Sequence, residues 1–480
     1  MKSFTPAPAT PVPEGLPPIA GLGTMQDAMR IGLSIDDCVG RLKRHLWSFK
    51  RLHEIFIKRL IAEPIYELKM GFSLHAHYCV EHAAAWRKRV AEMREPPLGL
   101  DLVPNEALDV FFDEIRAAPD TAALLIGIYE HAVPALREAL MRHMAETNKL
   151  VDHPTRRICR FAEIELAEMA DYGARCIQSL VTPERRQELG GWTEHLGHLL
   201  AIAGGLDRSS APAAGEVSRM YSGSEYKLDR RPRRDARFPD PYNMGVHAEA
   251  FLYDESFPPG PKTLMMYYKR LREIDVPEMM ASIIAETTDK PWEYHVDMTR
   301  QLWDEARHAM MGEVGFVRAG IDWAKFVKVN FTWSLALNTQ LTPIERHAVL
   351  YFIEKGLMPK TGKRFEWEVG VASGDPYSSM IQDYDWADEV LHARIGREWY
   401  VDQIGDTKEA TDYGDRCWAK VLIDWNSYRE QGLTAHENWW PALYREWCRI
   451  QGREPDPAIL AFDISYEKAR ADLRELSVSG

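Results

Sequence analysis

Two nine-residue stretches decide the reading of this chain: Asp304–Gly312, DEARHAMMG, and Asp388–Gly396, DEVLHARIG. They agree at five of nine positions, giving D-E-x-x-H-A-x-x-G twice. On a helix, a Glu and a His three residues later leave the same face about one turn apart. A carboxylate oxygen and an imidazole nitrogen can then reach neighbouring metal ions. A chain with 16 His and 72 acidic residues contains an E-x-x-H match or two by chance, usually on a solvated helix face. The shared flanks and equivalent placement set these two apart. Pro291 and Pro376 each open a helix, just behind Asp289 and Asp375, which are suited to capping it. Glu305 and Glu389 follow 14 and 13 residues further in. At about 1.5 Å per residue, the two motifs lie at nearly equal depth.

A bundle built around such a pair takes one further carboxylate from the helix preceding each motif. In TPIERHAVLYFIEKG, residues 342–356, Thr342, Pro343 and Glu345 make a capping box that accounts for Glu345. Glu354 is nine residues on, on the opposite side of the helix, and is the expected ligand, with Tyr351 and His347 on its face. Before the first motif, Glu286 lies almost in the turn near Asp289 and cannot be level with Glu305. Glu278 is far enough back and has small helix neighbours, Ala281, Ser282 and Ala285, so it is the expected ligand. Glu273 is the reserve, should Pro277 not break the helix.

Outward from the motifs, the pattern is helical nearly throughout. Leu42, Leu46, Phe49, Leu52, Phe56 and Leu60 step by three and four along one face. Expected regions are a Pro-rich arm over 1–23, a helical domain over 24–203, a linker or elaborated loop over 204–262, a bundle over 263–452 and a polar tail over 453–480. The 480 residues are 45% hydrophobic and 27% charged, which excludes wholesale disorder. No apolar run approaches the roughly 20 residues that span a bilayer. Six scattered cysteines without a CxxC pair read as reduced thiols of a cytoplasmic protein. A net charge of −13 disfavours general nucleic-acid binding.

Weaker features have bland explanations. His75, His77, Cys79, Glu81 and His82 cluster on one stretch and read as buried polar groups before a metal site. Trp292, Tyr294, Trp303, Tyr384 and Trp386 crowd the motifs and are expected to be core or pocket lining. The basic run KLDRRPRRDAR, residues 227–237, lacks interleaved aromatics and reads as salt bridging to the protein's own acids. There is no Gly-rich phosphate loop and no G-x-S-x-G elbow.

Through Glu278, D-E-A-R-H at 304–308, E-K-G-L at 354–357 and D-E-V-L-H-A-R-I-G at 388–396, the chain resembles the ferritin-like di-iron carboxylate superfamily. It looks closest to a little-characterised bacterial branch distantly similar to the tRNA hydroxylases. The resemblance covers little over a quarter of the chain. It implies an all-α fold, a ferritin-like four-helix bundle in the C-terminal half beside a helical N-terminal half, for which a degenerate second bundle is one reading. The implied metal ligands are Glu278, Glu305, His308, Glu354, Glu389 and His392. They would hold two Fe ions, or a Mn/Fe pair, with O2 as co-substrate. The expected activity is oxidation or oxygenation of a small-molecule substrate by O2, with electrons supplied by a separate donor. A non-catalytic metal-binding scaffold is the alternative, and a tRNA-modifying hydroxylase the third reading. A homodimer through the N-terminal half is expected.

Overall fold

The structure, a computed structural model, describes residues 14–93, 99–422 and 426–469; the outer parts of the expected arm and tail lie outside these. The described residues are helical with no strand. None of their helices is long and apolar enough to cross a membrane.

Compactness divides the chain into two units that interleave in sequence. One comprises residues 1–48, 85–111 and 122–218; the other comprises 49–84, 112–121 and 219–480. The expected regions, a helical domain over 24–203 and a linker over 204–262, follow the sequence order, whereas these units interleave. Periodicity along a helix shows which face is buried but not which unit it serves. The helix α1, Ile35–Leu60, makes the point, since it contributes residues to both units. Its apolar stripe, from Leu42 through Leu60, is fully buried as its spacing predicts.

In the second unit the helices that matter are α2 (Pro259–Arg272), α3 (Asp275–Glu286), α4 (Trp292–Arg318), α5 (Thr332–Gln340), α6 (Pro343–Gly356), α7 (Lys363–Ala372) and α8 (Pro376–Gly396). α3 packs on α4, α4 on α8, α8 on α6 and α6 on α3, closing a ring of four. α2 lies against α4 and α7, and α7 against α8. Asp375 caps α8 by accepting from the Tyr377 and Ser378 amides. At α4 the N-cap is Pro291 itself, with no side-chain cap. Thr342 and Glu345 form the capping box at α6.

The glycines that close the two motifs have a packing role. A Cβ on Gly312 would stand 2.3 Å from the Leu271 amide and 2.5 Å from the Tyr267 carbonyl oxygen, so only glycine lets α4 approach α2 backbone to backbone. A Cβ on Gly396 would meet the Tyr351 ring at 2.7 Å. The repeat therefore encodes a tight helix contact next to each Glu–His pair.

Candidate metal centre

α2 ends at Arg272 and α3 begins at Asp275, so the break falls at Glu273 and Ile274. Pro277 sits in the first turn of α3, where its missing N–H costs no helical hydrogen bond. This break turns Glu273, not Glu278, toward the motifs. Glu278 is corrected accordingly. Its carboxylate is fully buried and bound by Lys69 Nζ at 2.9 Å, Arg234 Nη2 at 3.0 Å and the Ser334 hydroxyl at 2.9 Å. It has no contact with either motif histidine.

The other five expected residues are brought together in two adjoining clusters. Glu305, Glu354, Glu389 and His392 form one; Glu273, His308, Asp385 and Glu389 form the other. His392 Nδ1 lies 3.2 Å from Glu305 Oε1, 3.6 Å from Glu389 Oε2 and 3.9 Å from Glu354 Oε1. His308 Nδ1 lies 3.5 Å from Glu305 Oε2, 3.5 Å from Glu273 Oε2 and 3.4 Å from Asp385 Oδ1. Glu305 thus offers one oxygen to each side.

The outer nitrogens are paired crosswise. His308 Nε2 is 3.1 Å from Asp388 Oδ2, and His392 Nε2 is 3.4 Å from Asp304 Oδ2. Each motif's Asp therefore holds the other motif's His and directs its Nδ1 inward, the arrangement that fixes the tautomer of a metal-binding imidazole. Arg307 bridges Asp304 and Asp388, and Arg300 bonds Asp304 at 2.9 Å.

The inward atoms are left over. His308 Nδ1, His392 Nδ1, Glu273 Oε2, Glu354 Oε2 and Glu389 Oε2 are buried without a hydrogen-bond partner. The two histidine nitrogens stand at ion-pair distance from Glu273, Glu305 and Glu389, so these atoms converge on shared space that a cation would satisfy. Metal–ligand bonds of about 2.1 Å place adjacent tetrahedral ligands about 3.4 Å apart, which is the spacing these atoms adopt. The residues fit a cation bound among carboxylate oxygens and imidazole nitrogens.

Electrostatics agree. Glu354 has its proton affinity raised well above the usual carboxylate range by burial and by the Glu389 and Glu305 charges. Burial opposes ionisation of Glu389 too, but the Lys363 ammonium, His392 and a hydrogen bond from Glu354 together outweigh it and hold that carboxyl well below its usual range. Burial works against protonation of His308 and His392, yet the surrounding carboxylates raise both well above the ordinary imidazole value.

Some participants are absent from the sequence reading. Asp385 precedes Glu389 by four residues, and Gln301 precedes Glu305 by four, so the repeat extends leftward by one polar position. Gln301 donates to Glu354 Oε1 at 3.0 Å. Lys363 and Arg270 are fully buried cations on the His308 side. A buried lysine at a helix start carries no sequence signal.

A cavity of about 330 Å³ opens onto Glu273, Glu305, Glu354 and Glu389. Its apolar wall includes Met279, Leu337, Ile353, Leu357, Trp333 and Trp418. The expected aromatics line none of it: Tyr384 is exposed, Trp386 faces Trp367, and Trp292 donates to the Val80 carbonyl at 3.2 Å. Of the arginines in the run 227–237, Arg230, Arg233, Arg234 and Arg237 are ion-paired to acids of this chain. The His75–His82 stretch does not converge as a ligand cluster. No protein-family model, curated protein or solved structure matches this chain.

Proposed function

We propose that the second unit is a ferritin-like bundle carrying a carboxylate–histidine metal centre, and that the protein is an O2-dependent oxidase or oxygenase of a small, largely apolar molecule. The observation that carries this reading is the set of five buried donor atoms without hydrogen bonds, arranged around two cross-paired histidines. Hard carboxylates with two imidazoles suit iron, or manganese with iron, better than copper. Iron held there would supply the redox chemistry toward O2 that no protein side chain offers.

The chain's own residues have definable tasks in this scheme. Glu305 links the two positions, Glu354 and Glu389 supply charge on the His392 side, and Asp304 and Asp388 keep the imidazoles oriented. The apolar wall of Met279, Leu337, Ile353 and Leu357 excludes water beside the carboxylates and accepts a hydrocarbon-like substrate. An external electron donor, a homodimer and a cytoplasmic setting belong to the same proposal. Ion pairing of Arg230, Arg233, Arg234 and Arg237 weakens the support that the basic run gave to a tRNA-modifying reading.

The test is metal content per chain in protein expressed with iron, beside Glu305→Ala and Glu389→Ala. The same samples, mixed with Fe(II) without oxygen and then exposed to O2, are followed in the near ultraviolet. Metal lost in both variants together with an O2-dependent absorbing species supports the oxidase. Metal without that species favours the non-catalytic scaffold, and trace metal unchanged by the variants removes the centre altogether.

A further inference from the structure

The two halves of the centre differ in one respect that the repeat conceals. Around His392, three carboxylates from Glu305, Glu354 and Glu389 converge, and the neighbour of Glu354 is the neutral Gln301 amide. Around His308, a lysine lies among the ligand candidates themselves. Lys363 Nζ is 2.7 Å from Glu389 Oε1 and 2.9 Å from each oxygen of Asp385. Arg270 is different in kind: it bonds Asp385 and reaches Glu273 through Oε1 at 2.8 Å, leaving Glu273 Oε2 facing His308. Arg270 thus pairs with Asp385 Oδ1, the oxygen that also faces His308 Nδ1, whereas Lys363 lies between Asp385 and Glu389 and touches both.

We propose that Lys363 stands in for the second metal, so that the native centre binds one ion tightly, at Glu305, Glu354, Glu389 and His392, with a lysine ammonium as the fixed neighbouring charge. This rests on the metal-centre reading and deepens it. Lys363 is fully buried at the first residue of α7, a helix packed on both α2 and α8, so the ammonium has no solvent route to swing into. A divalent ion beside His308 would have to share Asp385 and Glu389 with it. Lys363 touches both of these carboxylates but only Glu389 among the groups around His392, so in a medium of low effective dielectric its charge opposes an ion beside His308 more strongly than one beside His392. The symmetric repeat thus encodes an asymmetric centre, a one-metal site with a permanent positive partner, and Glu389 is the residue shared between them.

The experiment is a Mn(II) titration of the full-length metal-free protein, with free Mn(II) read from its room-temperature electron paramagnetic resonance signal and bound Mn(II) from the frozen spectrum. Wild type is expected to take up one ion per chain, with a spectrum of isolated Mn(II) and a second ion at least about a hundredfold weaker. Lys363→Met removes the charge at similar volume and is expected to admit a second ion within about tenfold of the first, with a spin-coupled spectrum. Lys363→Arg keeps the charge and is expected to stay at one; Lys363→Gln replaces Lys363→Met if the latter does not fold by circular dichroism. Two ions of similar affinity in wild type, or one ion in the folded charge-removing variant, overturns the proposal while leaving the metal centre intact. No uptake by any of them overturns both.

Discussion

Among the described residues, two regions bring metal-ligating residue types together, and they differ in what is left over. In the first unit, Cys38 Sγ is 3.7 Å from His143 Nε2 and 3.6 Å from Asp152 Oδ2. In the second unit, the Glu–His centre is built at similar spacing. At the Cys38 cluster, Asp152 already accepts from Thr147 at 2.7 Å, Arg89 at 3.1 Å and Thr155, so its charge is satisfied by fixed donors. Burial and the Asp152 charge push the Cys38 thiol up to about 12, away from the thiolate a metal requires. At the Glu–His centre one oxygen each of Glu273, Glu354 and Glu389 is left without a hydrogen-bond donor. Convergence of ligand types is common in a packed interior; convergence of unsatisfied valence is what points to a cation. Glu278 teaches the same, being buried but fully paired.

The sharpest break of this comparison sets Glu278 against Glu354. Removing one partner of a buried, fully paired charge cluster costs about 3–5 kcal/mol, so Glu278→Gln is expected to lower stability by that order while metal content stays at the wild-type level. Glu354→Gln is expected to do the reverse, losing metal while the metal-free protein melts no lower than wild type, because its charge is already disfavoured by Glu389 and Glu305. Denaturant melts with elemental analysis read both. If the two variants behave alike, unsatisfied valence is not the distinction we take it to be.

Next in size is Glu305→Ala, which removes the one carboxylate facing both histidines. Its loss in affinity should exceed the roughly 10–100-fold seen when outer partners of metal ligands are removed, and Asp388→Asn should fall within that range. Equal losses in a Mn(II) titration would show that Glu305 is no more than an orienting group. Gly312→Ala forces α4 away from the Leu271 backbone and should destabilise by about 1–3 kcal/mol in a urea melt, with metal affinity falling as the helices separate.

Acid response separates the histidines of the centre from those buried elsewhere. Burial lowers His53 to about 3, His75 to about 3 and His347 to about 4. An unfolded imidazole titrates near 6.5, so as pH falls below about 6.5 the unfolded state takes up protons that these three refuse, and stability declines. His308 and His392, raised in the metal-free protein, are charged in both states there and add no slope. Each buried neutral histidine contributes roughly 1 kcal/mol per pH unit between about pH 6.5 and 5. His53→Asn should flatten a stability profile by that amount; an unchanged profile would mean His53 is protonated in place. The smallest effect is expected at the other cluster. Cys38→Ser should leave metal content unchanged, and a loss of zinc or iron there would erase the contrast between the two regions.

Much of this was legible without coordinates. The α-helical class follows from apolar periodicity, a local property, and the buried stripe from Leu42 to Leu60 matches its spacing. The Glu–His pairs were legible because both members lie on one helix, where spacing alone sets geometry. Glu354 was legible because a capping box removed its rival Glu345. Glu273 against Glu278 was not, since it depends on whether the chain bends at residues 273–274 or at Pro277, and packing of α2 and α3 against α4 decides that. Nor was the crossed pairing of Asp304 with His392 and Asp388 with His308, which joins residues 88 and 80 positions apart. Lys363 is the clearest case. A lysine is ordinarily a surface residue, and only the close approach of three helices that bury it among Asp385 and Glu389 makes it part of the centre. The sequence by itself determined the two Glu–His pairs and their helices; the tertiary structure decided which of their atoms remain unpaired, because satisfaction of a buried charge depends on every group packed around it.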